Sequence, residues 1–441
     1  MKKFGLIGHP LTHSVSPFIH KRLFELRKTQ AEYKLYDIAE LDKKSMDLLR
    51  SLDGFNVTIP HKEKIIELID FIDADAQRYM AINTVKNAER GMQGHNTDVY
   101  GLEQSLLKLN VKKMDKVLIL GAGGAAAMAA ALTAQKASQI TLAARKKSAQ
   151  RAKDLASRLK ERSKAQILTT DIEDIKGEYD LMINCTPVGM YPKAWECPVS
   201  EGVIKNCAYV VDLIYNPLKT ELVKRAERLG IPGLGGMAML VYQAAKAQDI
   251  WFDDNFSEQA PIEQIIEKAE KLVKNRFQKN VVVFTGFMAS GKSAVAQAFC
   301  RKYGYELADT DDIIALRENM SVKDIFESKG EKYFREKERM ALQELINRDK
   351  IAISAGGGAA AHCADLLEYA FVVFVNTPFE VCYERIKKQG DKRPLANAKD
   401  KLQLKELYDE RYPVYKETSH MEIDGSQDMR TILSTFDTRL Q

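Results

Sequence analysis

An α/β protein built on parallel sheets is the fold class this sequence predicts, and three observations predict it. At residues 116–126 and again at 281–293, an apolar strand runs into a glycine-rich turn and then a helix, the transition with which parallel sheets open a nucleotide site. The third observation is the alternation of short apolar strands with amphipathic helical runs through the first hundred residues. At 441 residues the chain is long enough for two or three domains, each with its own core.

Composition narrows the function classes. A net charge of +5 over this length is too mild to argue for a nucleic-acid or membrane partner, and it suits small anionic ligands. The six cysteines are scattered without a C-x-x-C pair, which fits reduced thiols and argues against a zinc site. No apolar run approaches a membrane span, and residues 4–7 form only a short strand where a signal peptide needs a longer apolar core. The expected location is the cytoplasm and the expected partners are small-molecule substrates. The sequence sets no oligomeric state.

Residues 1–100 read as strands at 3–8, 32–38 and 54–59, with helical runs at 17–27 and 41–49. Three polar clusters interrupt them. In Gly8-His9-Pro10-Leu11-Thr12-His13-Ser14-Val15-Ser16-Pro17, Ser16 before a proline has the form of a helix N-cap. Alternatively, Ser14 and Ser16 present two hydroxyls to a polyol or carboxylate. In Asn56-Val57-Thr58-Ile59-Pro60-His61-Lys62, the lysine is either a solvated charge at a strand end or a group with a chemical task. Asn83-Thr84 and Gly94-His95-Asn96-Thr97-Asp98 flank a predicted β-hairpin with amide side chains at its ends. Three such clusters in so short a stretch favour one site over three separate surface features.

Together I-G-x-P-x-x-H-S-x-S-P, N-V-T-x-P-x-K, N-T and N-T-D resemble the substrate half of shikimate dehydrogenase. The resemblance implies that Ser14, Ser16, Thr58 and Asn83 hold the carboxylate and hydroxyls of the acid, with Lys62 and Asp98 as the catalytic pair. A partly desolvated lysine beside a carboxylate is suited to exchanging a proton with a carbonyl oxygen. Lys21 follows His20 where the family usually has asparagine.

Next, Lys116–Leu120 enters Gly121-Ala122-Gly123-Gly124-Ala125-Ala126 and an alanine-rich helix. G-x-G-x-x-A in this setting places a helix N-terminus against a pyrophosphate, although small residues also serve close helix–sheet packing. The following strand, 139–143, ends in Ala144-Arg145-Lys146-Lys147, where an NAD site places an acid. Basic residues there favour a 2′-phosphate, hence NADPH, over a merely exposed loop. Strands at 180–184 and 209–213 end in Asn184-Cys185-Thr186-Pro187-Val188-Gly189-Met190 and Asp212-Leu213-Ile214-Tyr215-Asn216-Pro217, and open α/β sheets bind ligands at such ends.

These loops, with Gly235-Gly236-Met237 and the helix through Gln243, extend the resemblance to shikimate dehydrogenase over residues 1–270. It implies that Gly121, Gly123, Gly124, Ala125, Arg145, Thr186 and Met237 face the cofactor, and that Tyr215 and Gln243 touch substrate. The expected domains are 1–100 with 236–272 for substrate, and 101–235, Rossmann-like, for NADP. Residues 254–280 read as a charged amphipathic helix, with no Gly/Ser-rich linker.

Val281–Thr285 then enters Gly286-Phe287-Met288-Ala289-Ser290-Gly291-Lys292-Ser293, a phosphate loop. Glycines let backbone N–H groups converge on phosphate oxygens, Lys292 adds a cation, and the Ser293 hydroxyl is a Mg²⁺ ligand. A strand at 305–308 delivers Asp309-Thr310-Asp311-Asp312, carboxylates that either reach Mg²⁺ and an acceptor hydroxyl or cap a helix starting near residue 312. Ile351–Ser354 ends in Gly356-Gly357-Gly358, where bare backbone can approach a ligand. A strand at 371–375 follows, then Lys392-Arg393-Pro394-Leu395 in a lid-like polar segment.

G-x-M-x-x-G-K-S, D-x-D, G-E-x-x-F-R, G-G-G, R-P-L and R-x-P-x-Y, in that order, resemble shikimate kinase over residues 279–441, a P-loop domain with a parallel sheet. The resemblance implies that Gly286, Ser290, Gly291 and Lys292 hold the phosphates of ATP, and that Ser293 and Asp309 serve Mg²⁺. It further implies that Asp311, Arg335, Gly357, Gly358 and Arg411 grip shikimate, Asp311 taking its proton, while Arg393 stabilises the transferring phosphoryl. Ala289 stands where the family often has glycine, and Arg385, Lys387 and Lys388 are the candidates for the adenine side.

The two halves imply one bifunctional enzyme: NADPH-dependent reduction of 3-dehydroshikimate to shikimate, then ATP-dependent phosphorylation to shikimate 3-phosphate. Two alternatives stand beside it. One half as a degenerate binding module is opposed by intact Lys62, Asp98, Lys292, Asp311 and Arg335. Quinate with NAD⁺ at the first site is opposed, on the cofactor, by Arg145.

Overall fold

The computed structural model describes residues 1–11, 14–79, 81–389 and 400–440. The chain divides into two compact units, Met1–Glu270 and Lys271–Gln441.

The first unit contains two six-stranded sheets. Strands β1 (Lys2–Gly8), β2 (Ala31–Asp37), β3 (Gly54–Val57), β4 (Phe71–Ile72), β5 (Thr84–Ala88) and β6 (Gly91–His95) are ordered β2-β1-β3-β5-β6-β4. β1, β2 and β3 run parallel, whereas β5 and β6 form the expected hairpin and join β3 antiparallel. Phe4, Ile7, Phe55 and Val57 are buried, as central strands covered on both faces require. β2 lies at the sheet edge and keeps charged side chains in solvent.

The second sheet is wholly parallel. Strands β7 (Lys116–Leu120), β8 (Gln139–Ala144), β9 (Gln166–Asp171), β10 (Tyr179–Asn184), β11 (Cys207–Asp212) and β12 (Gly233–Leu234) are ordered β12-β11-β10-β7-β8-β9. The chain moves outward from β7 through β8 to β9, then returns to β10 on the other side of β7. That reversal opens a crevice beyond the carboxyl ends of β7 and β10, where doubly wound sheets bind dinucleotides.

The helix Ser16–Leu26 is anchored by an unusual residue just past its end. Arg27 is nearly buried between the Phe252 and Phe256 rings, 4.6 and 4.2 Å from their centroids. It ion-pairs with Asp254, donates to Gln248 Oε1 at 3.3 Å, and lies 3.9 Å from buried Asp249. Truncating one partner of such a cluster leaves buried charge uncompensated. Arg27→Ala is therefore expected to destabilise this unit by about 3 kcal/mol, read as a lower urea midpoint at unchanged slope.

Both tryptophans of the chain belong to this unit. Trp251 is 3% exposed, stacks on Phe4 at 4.5 Å and donates from Nε1 to the Val85 carbonyl at 2.9 Å. Trp195 is 71% exposed, on the loop after β10.

In the second unit, β13 (Val281–Thr285), β14 (Glu306–Asp309), β15 (Ile351–Ser354), β16 (Phe371–Asn376) and β17 (Met421–Asp424) form a parallel sheet ordered β14-β15-β13-β16-β17. β13 is central and fully buried, which matches its unbroken Val-Val-Val-Phe run.

The single helix expected over residues 254–280 is instead three pieces: Phe256–Gln259, Ile262–Leu272 and a π-helical turn at Val273–Phe277. Pro261 has no N–H to continue the first piece, so the chain restarts after it. β9 and β17 escape the periodicity reading because each is a short, partly polar edge strand.

Candidate active sites

In the first unit, Lys62 Nζ donates to Asp98 Oδ2 at 2.5 Å. The other carboxylate oxygen, Oδ1, accepts from Asn83 Nδ2 at 2.8 Å, and that amide also lies 3.2 Å from Gln243 Oε1. Four predicted residues from four separate chain segments are thereby joined. Local structure explains how. Asp98 opens the helix Asp98–Lys108, and Gln243 lies on Met237–Phe252. The two helices cross closely at Gly101, where a Cβ would sit 2.5 Å from the Met239 carbonyl and 3.1 Å from Gln243 Cβ.

Behind this group lies a polar layer drawn from the same clusters, Asn56, Thr84 and Thr97, together with Tyr33, which the sequence does not single out. Thr97 N donates to Asn83 Oδ1 at 2.7 Å, and Thr84 Oγ1 lies 3.1 Å from Thr97 Oγ1. Asn56 Nδ2 donates to Thr84 Oγ1 at 3.0 Å, and Tyr33 OH to Asn56 Oδ1 at 2.8 Å. These bonds fix the Asn83 amide so that its Nδ2 faces Asp98.

Ser14 lies in the loop after β1 and Ser16 opens the helix that follows it, while Thr58 follows β3, the neighbouring strand; Thr58 N donates to the Ile7 carbonyl at 2.9 Å. The N-cap reading of Ser16 does not hold. The helix begins at Ser16 itself with Val15 in the cap position, and no side chain caps it. Ser16 N instead donates to Ser14 Oγ at 3.3 Å. Tyr215 is half-buried in the loop after β11, and burial raises its phenol above the usual range. Gly236 N donates to the Ile214 carbonyl at 2.8 Å, which sets that loop beside buried Met237.

The crevice beyond β7 is a cavity of about 480 Å³ lined by Gly121, Gly123, Arg145 and Thr186 among others. A Cβ at Gly123 would meet nothing within 4 Å, so the turn leaves open room before the helix Gly124–Thr133, which Gly124 and Ala125 open. A helix N-terminus facing open space beside a basic side chain fits a dinucleotide phosphate. Ser148, unremarked in the sequence, also lines this cavity, as do Glu196 and Cys197 beside Trp195.

Two neighbouring loops are tied by Asp212. Its buried carboxylate accepts from Asn184 Nδ2 (3.0 Å), Ile214 N (3.1 Å) and Thr220 Oγ1 (2.7 Å). Burial outweighs those bonds and pushes the carboxyl up to about 6. The folded state thus keeps a proton that the unfolded chain releases near pH 4, so this group favours folding in acid. Its contribution, roughly 3 kcal/mol, is lost as pH rises from about 4 to about 6. Asp212→Asn is expected to remove that slope from urea midpoints measured across the window.

In the second unit, Lys292 and Ser293 open the helix Lys292–Tyr303 directly behind the phosphate loop, with Gly291 at its cap. Ser293 Oγ donates to Asp309 Oδ2 at 3.0 Å and lies 2.9 Å from Ser354 Oγ. The N-cap reading of Asp309 holds: Oδ1 accepts from Asp311 N at 3.1 Å and caps the helix Thr310–Glu318, which starts two residues earlier than expected. Among the described residues no cluster of three His, Cys, Asp or Glu could hold a metal ion. Serine and aspartate oxygens completed by phosphate and water are the donor set Mg²⁺ takes in phosphotransferases.

Fully buried Ser290 Oγ, inside the phosphate loop, has no hydrogen-bond partner among the described residues. Ala289 has φ +59°, the left-handed region that glycine occupies without strain. Arg385 helps hold it there, donating to the Ala289 and Ser290 carbonyls at 3.3 and 3.1 Å and to the Gly425 carbonyl at 3.3 Å.

Asp311, Arg335 and Arg411 meet at Gly356-Gly357-Gly358. A Cβ on Gly358 would lie 2.4 Å from the Arg335 guanidinium carbon, so only glycine lets the guanidinium rest there. Arg411 Nη1 donates to the Gly357 carbonyl at 3.1 Å, and the Tyr415 hydroxyl donates to the same oxygen. A Cβ on Gly356 would lie 2.9 Å from Asp311 Oδ1. Glu338, to which the sequence reading gave no role, is fully buried and accepts from Arg335 Nη1 at 2.8 Å. Its i, i+3 spacing from Arg335 on one helix was the available signal. Arg393 lies outside the described residues.

Fold and sites together define a nucleotide-dependent oxidoreductase continuous with a P-loop phosphotransferase. Residues 6–85 match the family described as shikimate dehydrogenase substrate binding domain, residues 103–191 shikimate / quinate 5-dehydrogenase, and residues 288–440 shikimate kinase. The NADP(+) shikimate dehydrogenase of Caldanaerobacter subterraneus subsp. tengcongensis is 40% identical over 272 residues, 60% of this chain and 96% of that protein.

Among solved structures, a chorismate mutase/shikimate 5-dehydrogenase fusion from Clostridium acetobutylicum aligns with a TM-score of 0.56 at 33% identity, over 62% of this chain and 99% of that one. Shikimate 5-dehydrogenase from Listeria monocytogenes, in complex with shikimate and NAD, aligns at 0.55 and 29% identity, over 61% of this chain and 96% of that one. The chain belongs to the shikimate dehydrogenase family through its first unit and carries a shikimate kinase domain in its second, a fusion of two shikimate-pathway enzymes.

Proposed function

We propose that the first unit reduces 3-dehydroshikimate to shikimate with NADPH and that the second phosphorylates the hydroxyl so formed, giving shikimate 3-phosphate. The observation that carries the reading is the Asp98 carboxylate, which accepts from Lys62 on one oxygen and on the other from Asn83 Nδ2, an amide that also reaches Gln243 Oε1. A proton donor is thus held against a cage of amide groups suited to a polyol. Lys62 gives its proton to the ketone oxygen as that oxygen gains charge, and Asp98 keeps the ammonium aimed. Ser14, Ser16, Thr58 and Tyr215 complete the substrate cage. Arg145 receives the 2′-phosphate, with Thr186 and Met237 lining the rest of the dinucleotide. NADPH, when bound, supplies the hydride, and ATP with Mg²⁺ supplies the phosphoryl group.

In the second unit, Arg335 and Arg411 hold the acid's carboxylate, Gly357 and Gly358 permit its close approach, and Asp311 accepts the hydroxyl proton. Lys292, Ser290 and the amides of Gly286 and Gly291 hold phosphates, Ser293 and Asp309 hold Mg²⁺, and Arg393 meets the transferring group. We assign residues 1–100 with 236–272 to substrate binding, 101–235 to the dinucleotide, and 279–441 to phosphoryl transfer.

One-pot product analysis by mass spectrometry tests both steps, using 3-dehydroshikimate, NADPH, ATP and Mg²⁺ with each omitted in turn. Shikimate 3-phosphate is expected only when both cofactors are present. Shikimate accumulating despite ATP refutes the kinase step; unconsumed dehydroshikimate refutes the first. NADH and quinate, substituted in parallel, are expected to be the poorer partners.

A further inference from the structure

Arg335 is not waiting empty-handed for an anionic acceptor. Its Nη1 donates to Glu338 at 2.8 Å, while Nε and Nη2 both donate to Oε1 of Glu331, at 3.3 and 3.0 Å. The two acids differ in kind. Glu338 is fully buried, so parting it from Arg335 would leave an uncompensated charge inside the fold. The Glu331 side chain is 50% exposed and reaches Arg335 through a single oxygen, along the Nε–Nη2 edge that a carboxylate fork prefers.

The backbone gives Glu331 its independence. Helix Val322–Leu345 is broken at Gly330, whose φ of +82° and ψ of 167° are open essentially to glycine alone. Glu331 is thus the first residue after a break, and Gly330 has open space around it. Charge points the same way. Around Gly356-Gly357-Gly358 are gathered two guanidiniums, those of Arg335 and Arg411, and three carboxyl groups, those of Glu331, Glu338 and Asp311. An anionic acceptor entering that assembly meets net negative charge while Glu331 stays in place.

We propose that Glu331 is an internal stand-in for the acceptor's carboxylate: it occupies the Nε–Nη2 edge of Arg335 until substrate displaces it, so acceptor binding is an exchange of one carboxylate for another. The inference rests on the assignment of Arg335 to the acid group of shikimate. Occupancy by Glu331 lowers apparent acceptor affinity by the fraction of time the edge is taken, and it disfavours acceptors that lack a carboxylate able to compete.

The test measures KM for shikimate, KM for ATP and kcat in the full chain carrying Glu331→Gln, Glu331→Ala, Arg335→Ala or no substitution. Glu331→Gln and Glu331→Ala are each expected to lower KM for shikimate about threefold or more, leaving KM for ATP unchanged. Arg335→Ala is expected to raise KM for shikimate by at least about tenfold. If either Glu331 variant raises that KM or leaves it unchanged, Glu331 merely steadies the guanidinium, and the proposal is overturned. If Arg335→Ala leaves it unchanged, the assignment of Arg335 has failed instead. An unchanged KM for ATP in each variant reports that the kinase unit is folded, and dehydrogenase activity serves as the concentration standard.

Discussion

Lys62→Met is expected to lower turnover of 3-dehydroshikimate by about a thousandfold, with KM changed by no more than a few-fold. Methionine keeps the length and most of the volume of lysine but carries neither charge nor proton. The amide cage behind the pair survives the change, because Asn83 is held by Thr97 and Thr84 as well as by Asp98. Binding should therefore persist while proton delivery fails. Asp98→Asn should cost nearly as much, and the double variant scarcely more than either single one, since the two side chains act as one unit. Steady-state kinetics on the four proteins decides it. Additive losses would mean that Lys62 and Asp98 act separately, and intact turnover in Lys62→Met would remove lysine from the chemistry.

Lys292→Met should depress phosphorylation of shikimate by about a thousandfold. Lys292 is mostly buried at the head of the helix Lys292–Tyr303, one residue beyond the Gly291 cap. A lysine at this position adds a cation to the positive end of a helix, so its removal is expected to reduce both phosphate binding and stabilisation of the charge that develops during transfer. The loop should keep its shape, because its carbonyls are held by Arg385 and by Thr377, which donates to the Ser290 carbonyl at 2.8 Å. Coupled-assay rates at saturating shikimate, with dehydrogenase activity as the concentration standard, provide the readout. A loss below tenfold would show that backbone amides alone do the binding.

Much of this was legible from sequence wherever the chemistry is local. The two nucleotide turns each fit within a dozen residues, so a strand's burial, a glycine's absent Cβ and a helix start can be read in succession. Strands β7, β13 and β15 fall where apolar runs placed them, because central parallel strands leave no polar alternation to confuse the reading. What stayed hidden depends on partners distant in the chain. Asn83 and Gln243 are 160 residues apart, and Ser293 and Ser354 are 61 apart, so their meeting is set by packing. Glu338 lies near Arg335 in sequence, yet its importance comes from complete burial, which the mixed pattern of that helix does not announce. The break at Gly330 is invisible for a similar reason: helices tolerate single glycines, and only the backbone angles reveal a bend.

The placement of the two tryptophans has a practical consequence for spectroscopy. Both fluorophores lie in the dehydrogenase unit, so selective excitation of tryptophan follows that unit and leaves the kinase unit, with tyrosines and phenylalanines only, dark. The two should also differ in colour and accessibility. Trp251, sealed against Phe4, should emit at the blue end and resist a soluble quencher, whereas Trp195, exposed beside two residues that line the dinucleotide cavity, should emit to the red and be quenched readily. One unlabelled chain thus carries a reporter of folding and a reporter of cofactor occupancy, separable by quenching alone.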